Sequence, residues 1–232
     1  CGISTTKHLR LSPIVKYTAL SLFADRFLFS FQRLIEENYK ASWLLQPMDE
    51  SNLQLFALIS IWISSKMHDV SPLSVRTLKS LADVMISDQH FTARDFIEAE
   101  MVFMKVLRFE IGAANIAFFF LEELLYQFRE IAKVGDSLKL SVCMDIMDLL
   151  YEDEGTSLHH YSPRSLAASI LIAAYVLTIP RQPWEFPVFP WVMSMDAYQL
   201  EDIEELVRFI LHHTLKPCED AGFSYVKGDH RD

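Results

Sequence analysis

Two segments of this chain, residues 53–67 and 163–178, carry apolar side chains on nearly every side of a helix. Such a helix has no face for water, so other helices must surround it at the centre of a bundle. The run Leu55–Ile63 can be laid on Leu166–Ala174 without a gap, which indicates two similar halves. Strand-like alternation of polar and apolar residues is absent. We therefore predict an all-α protein.

Signals for helix starts are spaced along the chain. Ser-Pro pairs at 12–13, 71–72 and 162–163 precede apolar segments of helical spacing, and Ser caps a helix whose first position tolerates Pro. Thr92 and Asp95 have the spacing of a capping box. Prolines 180, 183, 187 and 190 argue against helix in that stretch. The predicted helices are 13–32, 53–67, 72–86, 92–109, 115–133, 138–151, 163–178 and 196–216.

The charge balance narrows the classes of partner. The chain has 232 residues and a net charge of −10, from 31 acidic and 21 basic residues. This sign argues against direct binding of nucleic acid or of an anionic membrane surface. The most hydrophobic window, 166–180, is too short to span a bilayer. Cys1, Cys143 and Cys218 are widely spaced and odd in number, which predicts reduced thiols in the cytosol or nucleus.

Signs of enzyme chemistry are missing from the sequence. It contains no Gly-rich phosphate loop, no GxSxG, no HExxH and no set of kinase motifs. The pairs His159-His160 and His212-His213 are adjacent, and neighbours on a helix point about 100° apart, which suits no shared metal. Asp145, Asp148, Glu152 and Glu154 are interpreted as a polar helix face that ends in a loop. We expect no catalytic residue, no metal and no cofactor.

Lys66 and Glu100 lie where an apolar residue is expected. Helical geometry puts Lys66 on the stripe of Leu55, Ile59 and Trp62, and Glu100 on the stripe of Phe96, Phe103 and Leu107. Burying a charge there is costly unless it is paired. Lys66 alone is also explained by its place at a helix C-terminus, from which it can reach water. Glu100 is either paired internally or exposed where another protein packs, and a Lys66–Glu100 pair among apolar residues is typical of a partner-binding face.

Several motifs resemble the cyclin box. They are Leu53-Gln-Leu, Ser65-Lys66, Glu100 and Lys105-Val-Leu-Arg-Phe109, and Asp25-Arg26-Phe27-Leu28 is similar to the family's DRFL. The second half looks like the C-terminal cyclin repeat. With Trp43-Leu-Leu-Gln-Pro and Glu185-Phe-Pro, the chain is most similar to the plant J-type cyclins.

The resemblance implies two tandem five-helix repeats, with the first either truncated or lacking its first helix. The repeats are expected at 1–112 and 113–217, with a flexible tail at 218–232. It also implies a non-catalytic regulatory subunit that binds and activates a cyclin-dependent kinase in cell-cycle control, in the nucleus and/or the cytoplasm. In the family the Lys and Glu bind the region of the kinase's αC helix. The residues so implied are Lys66 and Glu100, with Ile63, Met104, Phe109 and Ile111 as the apolar surround, and Asp25 and Trp62 are expected to be structural.

Two departures from the family bear on function. The family's Asp of DRF pairs with the Arg of an upstream MRAIL helix, which has no match in the 24 residues before Asp25. Asp25 therefore needs another partner. The two acidic residues that follow the family's SK motif are His68 and Asp69 here, which weakens part of the expected kinase contact. The alternative functions are a cyclin-fold adaptor or a transcription-factor-like module without kinase activation.

Overall fold

The computed structural model describes residues 11–36, 43–45, 48–112, 115–152, 161–181, 183–195 and 200–215. These residues form helices and connecting loops with no strand, which confirms the all-α prediction. The predicted tail, Cys1, Cys218, Glu154 and the pair His159-His160 lie outside the described residues. The helices are α1 (Pro13–Leu20), a π-helical stretch (Ser21–Phe27), α2 (Leu28–Glu36), α3 (Glu50–His68), α4 (Val75–Met85), α5 (Ala93–Val106), α6 (Ala117–Ile131), a 3₁₀ helix (Lys133–Ser137), α7 (Leu140–Glu152), α8 (Pro163–Thr178), α9 (Val188–Met193) and α10 (Leu200–Leu215).

Two hydrophobic cores follow each other along the chain. The first lies around α3 and takes its residues from Ala19 to Leu107. The second lies around α8, and all but one of its buried residues fall between Ile116 and Ile210. Both central helices are those predicted from their all-round apolar sequence, because only a helix inside a bundle can bury every side. The domain limits at residues 112 and 217 remain a prediction.

Two of the expected helix starts have the expected capping chemistry, whereas Ser12, the predicted cap of the helix at Pro13, forms no side-chain capping bond. Pro13 and Pro163 each begin a helix, and the Ser162 hydroxyl accepts a hydrogen bond from the Ser165 backbone N–H at 2.9 Å. Thr92 and Asp95 form a complete capping box at the start of α5. The start predicted at Pro72 was wrong. Ser74 is the residue that caps α4, with its hydroxyl accepting from the Thr77 N–H at 3.1 Å.

The proline-rich stretch after α8 contains a short helix that the sequence argument excluded. Pro187 is the N-cap of α9 and Pro190 lies in its first turn. Backbone N–H groups in a first turn have no partner within the helix, so proline loses nothing there. A six-residue helix can therefore form between prolines, and the exclusion was too strict.

Helix α1 joins the two halves. The Tyr17 side chain belongs to the second core, whereas Ala19 two residues later belongs to the first. Lys16 forms an ion pair with Asp148 of α7 at 2.5 Å, and the Tyr17 hydroxyl donates to Asp148 Oδ1 at 2.9 Å. Asp148 was interpreted from sequence as one residue of a polar helix face that ends in a loop. That interpretation was wrong, since Asp148 is a half-buried acceptor at the junction.

Two further findings concern thiols and membranes. Cys143 is a free, buried thiol, and burial raises its pKa to about 12, so it stays protonated and unreactive. Among the described residues, no helix is both long enough and apolar enough to cross a bilayer.

Candidate functional site: a charged pair on an exposed helical face

Lys66 and Glu100 meet at the surface of the first half. The Lys66 Nζ lies 2.5 Å from Glu100 Oε1, and the two side chains are 38% and 25% exposed. The same ammonium lies 3.5 Å from the centroid of the Trp62 ring. The ion pair with Glu100 and the contact with the Trp62 ring together fix the position of the Lys66 ammonium. The exposed part of the Lys66 side chain faces solvent. The pair suggested by the sequence is therefore present, and it remains accessible.

The elements beneath the pair are closely packed. Trp62 is buried, and its indole N–H donates to the Leu73 carbonyl oxygen at 2.9 Å, which ties the end of α3 to the loop before α4. Phe96 and Phe103, on the stripe of Glu100, are fully buried in the first core. Both charged side chains therefore project from well-packed helices.

The apolar residues implied around the pair differ in exposure. Phe109 is 57% exposed, and Met104 and Ile111 are half-buried at the edge of the first core. Ile63 is only 3% exposed and lies inside that core. Its inclusion as a surface contact needs correction, because a side chain buried to this degree supports the face from beneath and presents almost no area.

Sequence reasoning missed two residues of this face. Ile97 is 59% exposed and Met101 is 49% exposed, both on α5. With Met104 they follow a spacing of four and three residues, which places them on one side of the helix beside Glu100. The signal that could have found them is that stripe, since apolar residues occupy more of α5 than one core-facing side can bury. We call Lys66, Glu100, Ile97, Met101, Met104 and Phe109 the α5 face.

The turn after α5 holds Phe109 outward. Arg108 and Phe109 have φ angles of 53° and 62°, in the left-handed region that residues other than glycine rarely adopt. The Phe109 N–H donates to the Met104 carbonyl oxygen at 2.8 Å, and the Arg26 guanidinium donates to the carbonyl oxygen of Glu110. Backbone strain of this kind persists only where surrounding bonds determine it. The backbone that carries the exposed Phe109 ring is therefore held in place by the fold.

His68 does not extend the α5 face. Its Nε2 lies 3.0 Å from the Thr18 hydroxyl, and its ring packs edge-on against Phe119 of α6. Burial lowers the pKa of His68, which favours the neutral ring. The side chain is thus part of the junction between the halves. Where the family has an acidic residue, this chain has His68, whose side chain bonds to Thr18 within the molecule.

Asp25 is bonded to Tyr151, whereas the corresponding Asp of the family pairs with the Arg of the MRAIL helix. The Tyr151 hydroxyl of α7 donates to Asp25 Oδ2 at 3.1 Å. Burial raises the pKa of Asp25 to about 6, while hydrogen bonds from Ser21 and Tyr151 oppose that rise. Asp25 lines a cavity of about 240 Å³ between the halves together with Tyr151, Tyr161 and Leu166. The Tyr151–Asp25 hydrogen bond connects the π-helical stretch to α7 in the second half.

The fold has a counterpart among solved structures. An X-ray structure of a viral cyclin from herpesvirus saimiri matches with a TM-score of 0.63, at 18% identity over 89% of this chain and 78% of that one. This likeness defines the fold as that of a cyclin.

Sequence comparisons identify the family. The model of the cyclin N-terminal domain matches residues 3–112. A Cyclin-J18 from Arabidopsis thaliana is 55% identical over 92% of this chain and 91% of its own length, and a Cyclin-J18-like protein from rice (Oryza sativa subsp. japonica) is 52% identical over 95% and 87%. The chain belongs to the cyclin family, and the similarity to plant J-type cyclins is confirmed. Cyclins are regulatory proteins without catalytic activity of their own.

Proposed function

We propose that this chain binds a cyclin-dependent protein kinase through the α5 face and activates it in control of the cell cycle. The observation that carries the proposal is the exposed Lys66–Glu100 pair together with exposed Ile97 and Met101 on the helix of Glu100 and exposed Phe109 in the turn after it. Apolar side chains of this size in one place are unusual on a protein with no partner. They supply affinity, and the charged pair fixes the orientation of the partner.

Activation follows from differential binding. A protein kinase is competent when a Lys–Glu ion pair between its β3 strand and its αC helix is formed. A partner that binds only the conformation with this pair formed shifts the population toward it by the difference in affinity. The α5 face suits this role because its backbone is fixed by two packed helices and a restrained turn. A rigid surface selects one conformation of its partner and loses little entropy on binding.

The mechanism requires nothing catalytic from this chain. Lys66 and Glu100 each keep hydrogen-bonding capacity beyond the bond they share, since an ammonium has three donors and a carboxylate about four acceptor positions. The kinase can therefore bind both groups without breaking their pair. The same proposal assigns the chain to the nucleus and/or the cytoplasm, where Cys143 would stay reduced.

A panel of cyclin-dependent kinases tests the proposal directly. The purified chain is used to capture each kinase, and phosphorylation of a peptide substrate is then measured with and without the chain. We expect at least one kinase to bind and to gain activity, and Glu100→Ala to lower binding by 10-fold or more. The matched control is Glu130→Ala, an exposed carboxylate on α6, which should change neither.

Two outcomes would contradict the proposal in different ways. Capture of a kinase without any gain in activity would favour the adaptor function. Absence of capture across the panel, with the chain folded, would remove the kinase partner altogether. A transcription-factor-like function would instead show as salt-dependent binding of duplex DNA, which the net charge of −10 disfavours.

A further inference from the structure

A groove of about 280 Å³ between α2 and the turn after α5 collects three arginines. Arg26 comes from the π-helical stretch, Arg33 from α2 and Arg108 from the turn. Ser30 and Phe29 also line the groove, and the Phe29 ring is 55% exposed. Because the arginines come from three separate elements, only the folded chain brings them together.

The cluster is unusual in a chain with a net charge of −10. Arg33 and Arg108 are exposed, and among the side chains that the structure describes neither has an ion-pair partner. Two carboxyl groups, Asp25 and Glu110, line the same groove. Asp25 accepts its bond from Tyr151 in the neighbouring cavity, and burial raises its pKa to about 6, which reduces its negative charge near that pH. The positive charge of the groove is therefore only partly compensated.

One guanidinium group and the backbone of a second arginine are held by hydrogen bonds. The Arg26 guanidinium donates to the Glu110 carbonyl oxygen, so that its planar group is anchored at the groove. Arg108 has a φ of 53°, and the Arg108 N–H donates to the Lys105 carbonyl oxygen at 2.9 Å. Left-handed backbone outside glycine concentrates at functional sites. The groove thus offers one guanidinium group that is anchored before any ligand arrives, beside an arginine whose backbone is fixed.

We propose that this groove binds the phosphate of a phosphoserine or phosphothreonine in a peptide segment of the kinase's substrate. A guanidinium presents a planar fork of N–H donors that matches phosphate oxygens in pairs, which an ammonium does not. The Ser30 hydroxyl is a further donor, and the exposed Phe29 ring offers apolar contact to a neighbouring residue of the peptide. The proposal rests on the proposed function, since a kinase regulator meets substrates that already carry phosphate.

The charge distribution selects a phosphopeptide over other phosphate carriers. A nucleic acid or an anionic membrane presents many phosphates, and the acidic remainder of the surface would repel them. A single phosphorylated side chain needs only the local field of the groove. The consequence for activity is retention of a substrate that has been phosphorylated once, so that its second site is phosphorylated faster than the same site in unmodified substrate.

The test uses the purified chain without any kinase. Fluorescence anisotropy follows binding of two peptide libraries with randomised flanks, one with a central phosphothreonine and one with threonine. We expect saturable binding of the phosphorylated library only, competition by inorganic phosphate, and a loss of 10-fold or more in the double variant Arg33→Ala/Arg108→Asn. Asn is chosen at 108 because it tolerates positive φ. Arg76→Ala, an exposed arginine on α4, is the matched control and should bind as the unaltered chain does.

Three results would overturn the proposal: equal binding of both libraries, absence of binding, or binding that the double variant retains. Tighter binding of single-stranded RNA or of phosphatidylserine vesicles would overturn it in favour of those ligands. Failure of the kinase proposal is recognised separately. Lys66→Ala should lose kinase activation and keep phosphopeptide binding, whereas Arg33→Ala should lose phosphopeptide binding and still activate the kinase on an unphosphorylated peptide.

Discussion

Two ion pairs of this protein have the same length and different surroundings. Lys16–Asp148 and Lys66–Glu100 each have an N–O distance of 2.5 Å. The first is 14% and 17% exposed and joins the two halves, whereas the second is 38% and 25% exposed on the first half alone. Breaking a buried pair leaves a charge without solvent or partner, but an exposed pair contributes only about 0–1 kcal/mol. Burial therefore separates the structural pair from the pair that is available to a partner.

The central helices of the two halves also differ in whether they carry a charged residue that a partner can reach. Both α3 and α8 are buried along most of their length, and Lys66 of α3 falls on Leu177 of α8 when their sequences are overlaid. Leu177 is half-buried against the second core. The two cores can thus be built in the same way while only the first half presents a charged pair. This difference locates the proposed kinase contact on the first half.

The largest effect on stability is expected from Asp148→Ala. The change leaves the Lys16 ammonium and the Tyr17 hydroxyl at the junction without their common acceptor. We expect the free energy of unfolding to fall by about 3 kcal/mol, measured by urea denaturation. A loss below about 1 kcal/mol would show that Lys16–Asp148 contributes no more than an exposed ion pair. The distinction drawn between it and Lys66–Glu100 would then be wrong.

Asp25→Asn is expected to stabilise the chain near neutral pH. The pKa of Asp25 is about 6 in the folded chain against 3.8 ordinarily, so the folded chain keeps this proton at pH values where the unfolded chain has released it. The stabilisation from this group is complete below about pH 3.8 and is lost as the pH rises to about 6. An amide has no proton to lose. The gain of the variant at pH 7 should therefore exceed its gain at pH 4 by roughly 2 kcal/mol.

Thermal unfolding of both proteins at the two pH values measures this difference. An equal effect at pH 4 and pH 7 would mean that the variant acts through packing and not through the charge of Asp25. Tyr151→Phe is the companion variant, because it removes the hydroxyl that donates to Asp25. It should raise the pKa of Asp25 further, which nuclear magnetic resonance of the carboxyl carbon can follow.

A smaller effect is expected from Tyr17→Phe. The hydroxyl donates to Asp148 and lies 3.1 Å from the Met144 carbonyl oxygen, but Lys16 still pairs with Asp148 in its absence. We expect a loss of about 1 kcal/mol in the free energy of unfolding. A loss as large as that of Asp148→Ala would assign the strength of the junction to Tyr17 instead of to the ion pair.

The smallest effect on stability is expected from Glu100→Ala. Its partner Lys66 can turn toward water and still contact the Trp62 ring, so the free energy of unfolding should change by less than about 1 kcal/mol. Calorimetry of the variant beside Asp148→Ala compares the two pairs under one set of conditions. A loss near 3 kcal/mol would make Lys66–Glu100 a structural pair.

Much of the fold could be predicted because local chemistry sets it. Thr92, Ser162 and the all-apolar sequences of α3 and α8 act within a few residues, and their effects were as expected. The start of α4 was misplaced because two serines, Ser71 and Ser74, compete as caps and only packing decides between them. The π-helical stretch Ser21–Phe27 had no sequence signal.

Part of the candidate site could also be predicted, because that part depends on local sequence. Lys66 and Glu100 are conspicuous because each interrupts an apolar stripe, whereas Ile97 and Met101 look like ordinary core residues until the exposed side of α5 is known. Asp148 pairs with a residue 132 positions away, and its role depends on how the halves meet. The arginine groove likewise combines three elements, and no local pattern contains it.

A charge exchange tests the central claim that Lys66 and Glu100 serve a partner and not the fold. The double variant Lys66→Glu/Glu100→Lys keeps an ion pair within the chain but reverses the charges that a kinase would meet. We predict that its melting temperature stays close to that of the unaltered chain, while its affinity for the kinase, measured by isothermal titration calorimetry, falls at least 10-fold. Unchanged affinity would contradict the account, because it would show that the kinase does not read these two charges.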